Sequence, residues 1–424
     1  MTHELPQEIG RDIAVSAADI WKPRKQLLAK VGLSLGVMAA ALTAATARPN
    51  KAQASPSEAA AAAHPLEYVG ITSNRIWVPD LNQARQAAHD IADTNANTVR
   101  IFQPYNQSQA EFSFDLPRLC NAAEAARENN LILEITTLGV QSVTEKGKKV
   151  IKHNYVPSNA GGVSRYLSVV KTMLMDIAGP DTAHSGPGGT ACVEQPLDKV
   201  MIGDFDEVNS EDFNSNIDPA KKYAYLESKA IPTYAKISDD INHAFEGTPH
   251  SFTLEHVVGA LAVSHHDYLG FLKDFDQALK GFGVTDPDFL LAVHPYPADS
   301  TVNPATIEAA INPLLRDELD AAWGKDRVSV FFDEIGVSAI PDKKRSQYGT
   351  RSLQAAAVKE NLQAQYYSDT IHKAAQLRGV VGILTFQSQD VSNDGWPSGL
   401  YSPDNTPKKA RDAVASAFYD TTAH

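Results

Sequence analysis

Cysteine is scarce in this chain of 424 residues: only Cys120 and Cys192 are present. Two such distant residues make no disulfide framework. Cys120 falls in a helical pattern and Cys192 follows a Gly/Pro loop, so the pair is expected to stay unbridged even where export would permit a bond. No Cys/His spacing suits zinc. His265-His266-Asp267 is a cluster only in sequence, because adjacent residues do not share a helix face; capping or exposure is expected there. No metal or cofactor is therefore anticipated. A glycine-rich phosphate cradle is also missing, since Gly70-Ile71-Thr72-Ser73-Asn74 after the first apolar run does not have that pattern. There is no short internal repeat or heptad. Positive charge is the rarer sign, with 38 Lys and Arg against 51 Asp and Glu and a formal net charge of −13. An acidic body of this kind argues against a nucleic acid as partner.

What is present begins with an amino-terminal segment unlike the rest. Lys22, Arg24, Lys25 and Lys30 precede an apolar run from Val31 to Ala45, followed by small-x-small sites at Ala45-Thr46-Ala47 and Ala52-Gln53-Ala54. This layout predicts a secretory signal with a long basic leader over residues 1–54, or else a signal anchor. The run is short and alanine-rich for a lasting span, so removal is expected, with no stable membrane insertion afterwards. Residues 55–64 form a Ser/Pro/Ala linker. The expected location is secreted or periplasmic, in the cell envelope.

From residue 65 to 424, strand-like runs alternate with amphipathic helices, the pattern of a parallel sheet with crossover helices. Strands are expected at Tyr68–Thr72, Thr98–Phe102, Ile132–Thr136, Val200–Phe205, Ser251–Val257, Phe289–His294, Val328–Asp333 and Val380–Phe386. Helices are expected at Leu81–Thr94, Leu116–Asn129, Val163–Ile177, Pro219–Phe245, His266–Leu279, Pro304–Trp323, Ser352–Leu377 and Pro407–Tyr419. Eight such units predict an α/β fold of the (β/α)₈ TIM barrel type, in a single domain. Leu138 to Gly162 is expected to be a long loop at the active face.

In such a barrel the residues closing each strand form the active face. Here they are polar or aromatic: Asn74 and Trp77 after the first strand, Arg100, Gln103 and Tyr105 on the second, and Asp206 and Glu207 on the fourth. The sixth strand supplies His294 and Tyr296, the seventh Glu334, and the eighth Phe386 and later Trp396. Glu207 and Glu334 each end an apolar strand, so they are expected to face one another across the mouth. Such a carboxyl pair can cleave a glycosidic bond, one group protonating the leaving oxygen and the other attacking the anomeric carbon. Aromatic faces nearby suit the C–H faces of sugar rings.

These strings resemble clan A glycoside hydrolases, the retaining (β/α)₈ enzymes that include the cellulase and mannanase group called family five. Phe205-Asp206-Glu207-Val208-Asn209 is similar to the aromatic-Asn-Glu-Pro-Asn signature, and Phe332-Asp333-Glu334-Ile335-Gly336 to the motif that ends the seventh strand. Gly399 to Lys408 resembles the segment after the eighth. The resemblance implies Glu207 as acid/base and Glu334 as nucleophile. It implies Arg100 as the arginine holding the nucleophile ionised, with His294 and Tyr296 beside it, and a carbohydrate as substrate. A monomer is expected. Asp206 stands where the family has asparagine, Val208 where it has proline, and Phe386 where it commonly has tryptophan. The alternative consistent with these changes is a non-catalytic glycan-binding or envelope protein on the same barrel.

Overall fold

The computed structural model describes residues 64–422, apart from 107–113, 146–147, 154–155, 180–191, 194, 211–217, 263–267, 287, 297–314, 326, 356–357 and 394–395. The leader, nearly all of the linker and His265-His266-Asp267 lie outside the described residues. Among the described residues no helix is long and apolar enough to cross a membrane.

The strands are β1 (Tyr68–Thr72), β2 (Thr98–Asn106), β3 (Ile132–Glu145), β4 (Lys148–His153), β5 (Lys199–Asp204), β6 (Thr253–Ala262), β7 (Leu290–His294), β8 (Ser329–Ile335) and β9 (Val380–Phe386). The α-helices are α1 (Leu81–Ala92), α2 (Leu116–Glu128), α3 (Ala160–Ile177), α4 (Pro219–Ala244), α5 (Tyr268–Gly281), α6 (Leu315–Trp323), α7 (Thr350–Ala355), α8 (Glu360–Ala374) and α9 (Lys409–Thr421). All strands except β4 are parallel to their neighbours, in the order β1-β2-β3-β5-β6-β7-β8-β9 and back to β1. The sheet is therefore the closed eight-stranded barrel anticipated from the alternation of elements.

Local chemistry sets the helix starts. Asp80, Asp115, Asn159 and Asp218 each accept a hydrogen bond from a backbone N–H of the first turn they precede, satisfying donors that the helix itself leaves free. Proline within the first turn of α2 and α4 costs nothing there, because its missing N–H has no partner in a helix start.

Inside the barrel, Tyr68, Met201, Val257, Leu290, Phe331 and Leu384 form an apolar floor. The larger apolar cluster lies between the barrel wall and the helices. Every second residue of a strand faces inward, and above this floor the inward positions turn polar.

Three expectations need correction. Residues 138–162 are not a long loop: β3 continues to Glu145 and pairs antiparallel with β4 as a hairpin. The single helix expected over Ser352–Leu377 is two helices, α7 and α8, with Val358 between them bridged to Ala339. Cys120 and Cys192 are joined in a disulfide, with Cα atoms 4.6 Å apart. The end of α3 places them together, since Cys192 N–H donates to Asp176 O and so turns the chain back toward α2.

Candidate active site

The turn after β5 presents Glu207. Phe205 and Glu207 have φ values of 65° and 47°, left-handed conformations that each cost of order 1–3 kcal/mol in a residue with a Cβ and persist only where surroundings enforce them. The enforcing element is β6. Its register against β7 shifts between Val258 and Leu261, where Gly259 and Ala260 also have positive φ. This bulge turns the Ala260 carbonyl to accept from Glu207 N–H at 2.9 Å. Asn209 then clamps Ala262 twice, donating from Nδ2 to its carbonyl at 2.9 Å and accepting its N–H at 3.0 Å. Tyr223 holds both sides, donating to Asp204 O at 2.8 Å and accepting from Gly259 N–H at 3.0 Å.

On the opposite wall, Glu334 occupies the end of β8. Its Oε1 accepts from Arg100 Nη1 at 2.8 Å and its Oε2 from the Tyr296 hydroxyl at 2.7 Å. Gly336 allows this approach: a Cβ there would sit 3.0 Å from Phe386 O and 3.3 Å from the Tyr296 ring.

Arg100 is fully buried and serves four carboxylates. Besides Glu334 it meets Asp206 at 3.2 Å, Glu134 at 3.3 Å and Asp333 at 3.4 Å, while its Nε donates to Thr136 Oγ1 at 2.7 Å. These anions outweigh the cost of burial and raise its pKa. His294, also buried, lies 3.1 Å from Asp333, 3.4 Å from Glu207, and 3.7 Å from both Asp206 and Glu334. Burial opposes its charge, but Glu334 and Asp333 prevail and hold its pKa well above the ordinary value. Asp333 is correspondingly low, burial being outweighed by His294 and Arg100. Burial dominates at Glu134 and Asp206. It pushes Glu134 up to about 8 despite Arg100, and Asp206 up to about 7, with Glu334 adding to the rise.

Glu207 and Glu334 thus share a neighbour. Oxygens 3.4 and 3.7 Å from the same His294 nitrogen are at most about 7 Å apart, a bound that admits the ~5–5.5 Å carboxyl spacing of a retaining pair.

The structure brings Arg100, Asp206, Glu207, His294, Tyr296 and Glu334 into one constellation. Trp396 stands at its edge, half-buried, its ring 5.9 Å from that of Tyr296 in an edge-on arrangement. The other aromatic expectations fare differently. Tyr105 is core, packed on Tyr166 and Phe205, and Phe386 is covered as well. Trp77 is buried, donates to Gln103, and has the Arg118 guanidinium over its ring. Asn74 lies half-buried in the turn after β1. Sequence reasoning passed over Glu134, Asp333, Thr136 and Asn209. Glu134 carried a signal, being a lone charge in the apolar run Ile132–Thr136, where an ionisable side chain needs a partner.

A second buried cluster lies outside the barrel wall. His256 Nε2 is 2.6 Å from Asp204 Oδ2 and 3.1 Å from Glu227 Oε2. Tyr234 and Tyr166 donate their hydroxyls to Asp204 Oδ1. Burial opposes the His256 charge, yet Glu227 and Asp204 raise its pKa to about 10; burial and the Asp204 charge push Glu227 to about 8. Asp204, Glu227 and His256 have donor atoms grouped closely enough for a metal ion, as do Asp206, His294 and Glu334. In both groups a cation of the protein already stands between the carboxylates, His256 in one and Arg100 with His294 in the other.

No family model matches the chain, and no curated protein is similar in sequence. Solved structures do match in fold. A family 39 glycoside hydrolase from the gut symbiont Bacteroides cellulosilyticus WH2 superposes with a TM-score of 0.51 at 15% identity, covering 83% of this chain and 63% of that one. This chain therefore spans less than two thirds of that protein's length. A GH5_18 protein from Bifidobacterium longum subsp. infantis gives 0.51 at 14% identity, covering 85% and 80%. A GH5_18 variant from Streptomyces cattleya, in complex with Manb1-4GlcNAc, gives 0.50 at 16% identity, covering 83% and 80%. The chain is thus similar in fold to clan A glycoside hydrolases, in keeping with the resemblance drawn from the motifs around Glu207 and Glu334.

Proposed function

We propose that the protein is a secreted retaining glycosidase that cleaves β-linked poly- or oligosaccharides by double displacement. One observation carries this reading: Glu334 is seated between Arg100 and Tyr296 while Glu207 stands across the same imidazole. Glu207 protonates the departing glycosidic oxygen as Glu334 attacks the anomeric carbon, giving a glycosyl ester and a free alcohol. Glu207, now a carboxylate, takes a proton from water, whose oxygen displaces Glu334 and restores both groups. Arg100 and Tyr296 fix the two Glu334 oxygens, so the attacking atom does not have to be organised during the reaction. His294, charged between Asp333 and the two glutamates, balances the negative charge as it passes from one carboxylate to the other.

The fold neighbours support a saccharide as substrate, since one of them holds Manb1-4GlcNAc. Export is supported by the basic leader with its apolar run and by the Cys120–Cys192 disulfide, a bond that persists in oxidising compartments. We take the leader to be removed and the mature chain to act as a monomer.

The test is covalent trapping with activated 2-deoxy-2-fluoro β-glycosides. The expected result is one sugar per protein on the peptide carrying Glu334, and none in Glu334→Gln. Glycan binding with neither labelling nor hydrolysis across a panel of sugars would assign the site to a non-catalytic glycan-binding role.

A further inference from the structure

We infer that Asp206 selects a sugar carrying a protonated amino group at carbon 2, so that the substrates are β-linked glycans of 2-amino-2-deoxy sugars. This rests on the glycosidase reading above and adds the substrate class to it.

The first support is where Asp206 stands. Its carboxylate has an oxygen within 4.8 Å of both the Glu334 carboxylate and the His294 ring, and it immediately precedes Glu207. For Glu334 to attack, the anomeric carbon must come within ~3–3.5 Å of one of its oxygens. The ring neighbours of that carbon are the ring oxygen and carbon 2. The ring oxygen has lone pairs and no proton, so an ionised carboxylate repels it. The substituent on carbon 2 is the nearby group that can donate, and Asp206 is placed to receive it.

The second support is the Asp206 atom left free. Asp206 Oδ1 engages Arg100 at 3.2 Å, whereas Oδ2 has no hydrogen-bond partner among the described residues. The side chain is 10% exposed, against 0% for Arg100, His294 and Glu334. The unused oxygen therefore belongs to a group that reaches the mouth, as Glu207 does at 17%.

The third support is charge. Five carboxylates, those of Glu134, Asp206, Glu207, Asp333 and Glu334, surround two cations, Arg100 and His294. With a proton on the acid Glu207 and another on Glu134, which burial raises to about 8, the group carries one uncompensated negative charge whenever Asp206 is ionised, which is why Asp206, raised to about 7, still holds a proton at pH 6. Closing a sugar over the mouth removes the remaining water from it. A neutral 2-hydroxyl or 2-acetamido group does not balance that charge and leaves the proton on Asp206. A 2-ammonium group balances the charge, so Asp206 gives up its proton to solvent and its Oδ2 accepts from the ammonium in a charge-assisted hydrogen bond, of the stronger kind.

The experiment compares 4-nitrophenyl β-glycosides bearing 2-amino, 2-acetamido or 2-hydroxyl groups in the gluco, manno and galacto series. Binding is followed by calorimetry and turnover by nitrophenol release, at pH 6, for the full chain and for Asp206→Asn. In the best-bound series the amino sugar is expected to bind at least tenfold more tightly than its hydroxyl counterpart and to release protons on binding. Asp206→Asn is expected to abolish both the preference and the proton release. Equal or tighter binding of the hydroxyl sugar overturns the inference, as does a preference that survives in Asp206→Asn or the absence of binding by any amino sugar. The two readings fail separately. An amino preference without turnover refutes the glycosidase and keeps this inference, while turnover of hydroxyl sugars alone keeps the glycosidase and refutes this inference.

Discussion

Replacing Arg100 with methionine removes the one guanidinium that four buried carboxylates share. Its contacts with Glu334, Asp206, Glu134 and Asp333 span 2.8 to 3.4 Å, and the arginine has no exposure to water. Methionine preserves much of the volume, so the consequence is electrostatic. Removing one partner of a buried ion pair typically costs about 3–5 kcal/mol, and the larger figure applies where several carboxylates lose the same partner. The cost should depend on pH in a fixed direction. Without Arg100 the folded carboxylates have raised pKa values, so above the ordinary carboxylate range the folded state binds more protons than the unfolded state. Stability then falls as pH rises. Each extra proton is worth ~1.4 kcal/mol per pH unit, so a deficit of about 4 kcal/mol at pH 7.5 should shrink to about 1 kcal/mol at pH 5.5. Urea unfolding followed by tryptophan fluorescence at the two pH values measures both deficits. A deficit that is the same at both, or larger in acid, would refute the view that Arg100 acts as countercharge.

Two further outcomes concern the rest of the barrel. His256→Gln should destabilise the fold by about 3–5 kcal/mol at pH 7, because Asp204 and Glu227 lose the cation between them. The wild-type histidine has a folded pKa of about 10, so its contribution is complete below the unfolded value of ~6.5 and declines as pH rises toward 10. The wild-type and variant denaturation midpoints should therefore converge in alkali, and a constant gap from pH 7 to 10 would count against this. Cys120→Ser opens a covalent loop with a sequence separation of 72, which chain entropy values at about 4 kcal/mol. Reductant should lower the melting point of the wild type to that of the variant and leave the variant unchanged; coincident melting without reductant would show that the bond contributes nothing.

Much of the barrel was legible because its strands are short apolar runs with sharp ends. Tyr68–Thr72 and Val380–Phe386 were bounded to the residue. The hairpin of β3 and β4 was not legible because Val140–His153 lacks a period-two pattern: Val140 and Val143 are three apart, and Val150 and Ile151 are adjacent. The core of the site was legible for a different reason. Strand ends carry the chemistry in a barrel, so Glu207, Glu334, Arg100 and His294 could be gathered without knowing which strands touch. The supporting groups required that knowledge. Glu134 meets Arg100 because the two are register partners on adjacent strands, and Cys192 reaches Cys120 only once α3 has been laid down. Tyr105 marks the opposite difficulty: an aromatic residue beside a strand end looks alike in sequence whether it faces the mouth or, as Tyr105 does, packs against Tyr166 of a helix.

Asn209 and the bulge in β6 settle where the constraint on Glu207 comes from. Among the described residues the turn is held by Glu207 and Asn209 against Ala260 and Ala262 of β6, and by Tyr223 of α4, which reaches both Asp204 and Gly259. The aim of Glu207 is therefore set from outside its own turn. A substitution in the β6 bulge, at Gly259 or Ala260, is expected to redirect Glu207 without changing any residue that borders it in sequence. Position 207 is in this sense governed by its neighbours in space: the carboxylate follows β5 in the chain, and its direction belongs to β6 and α4.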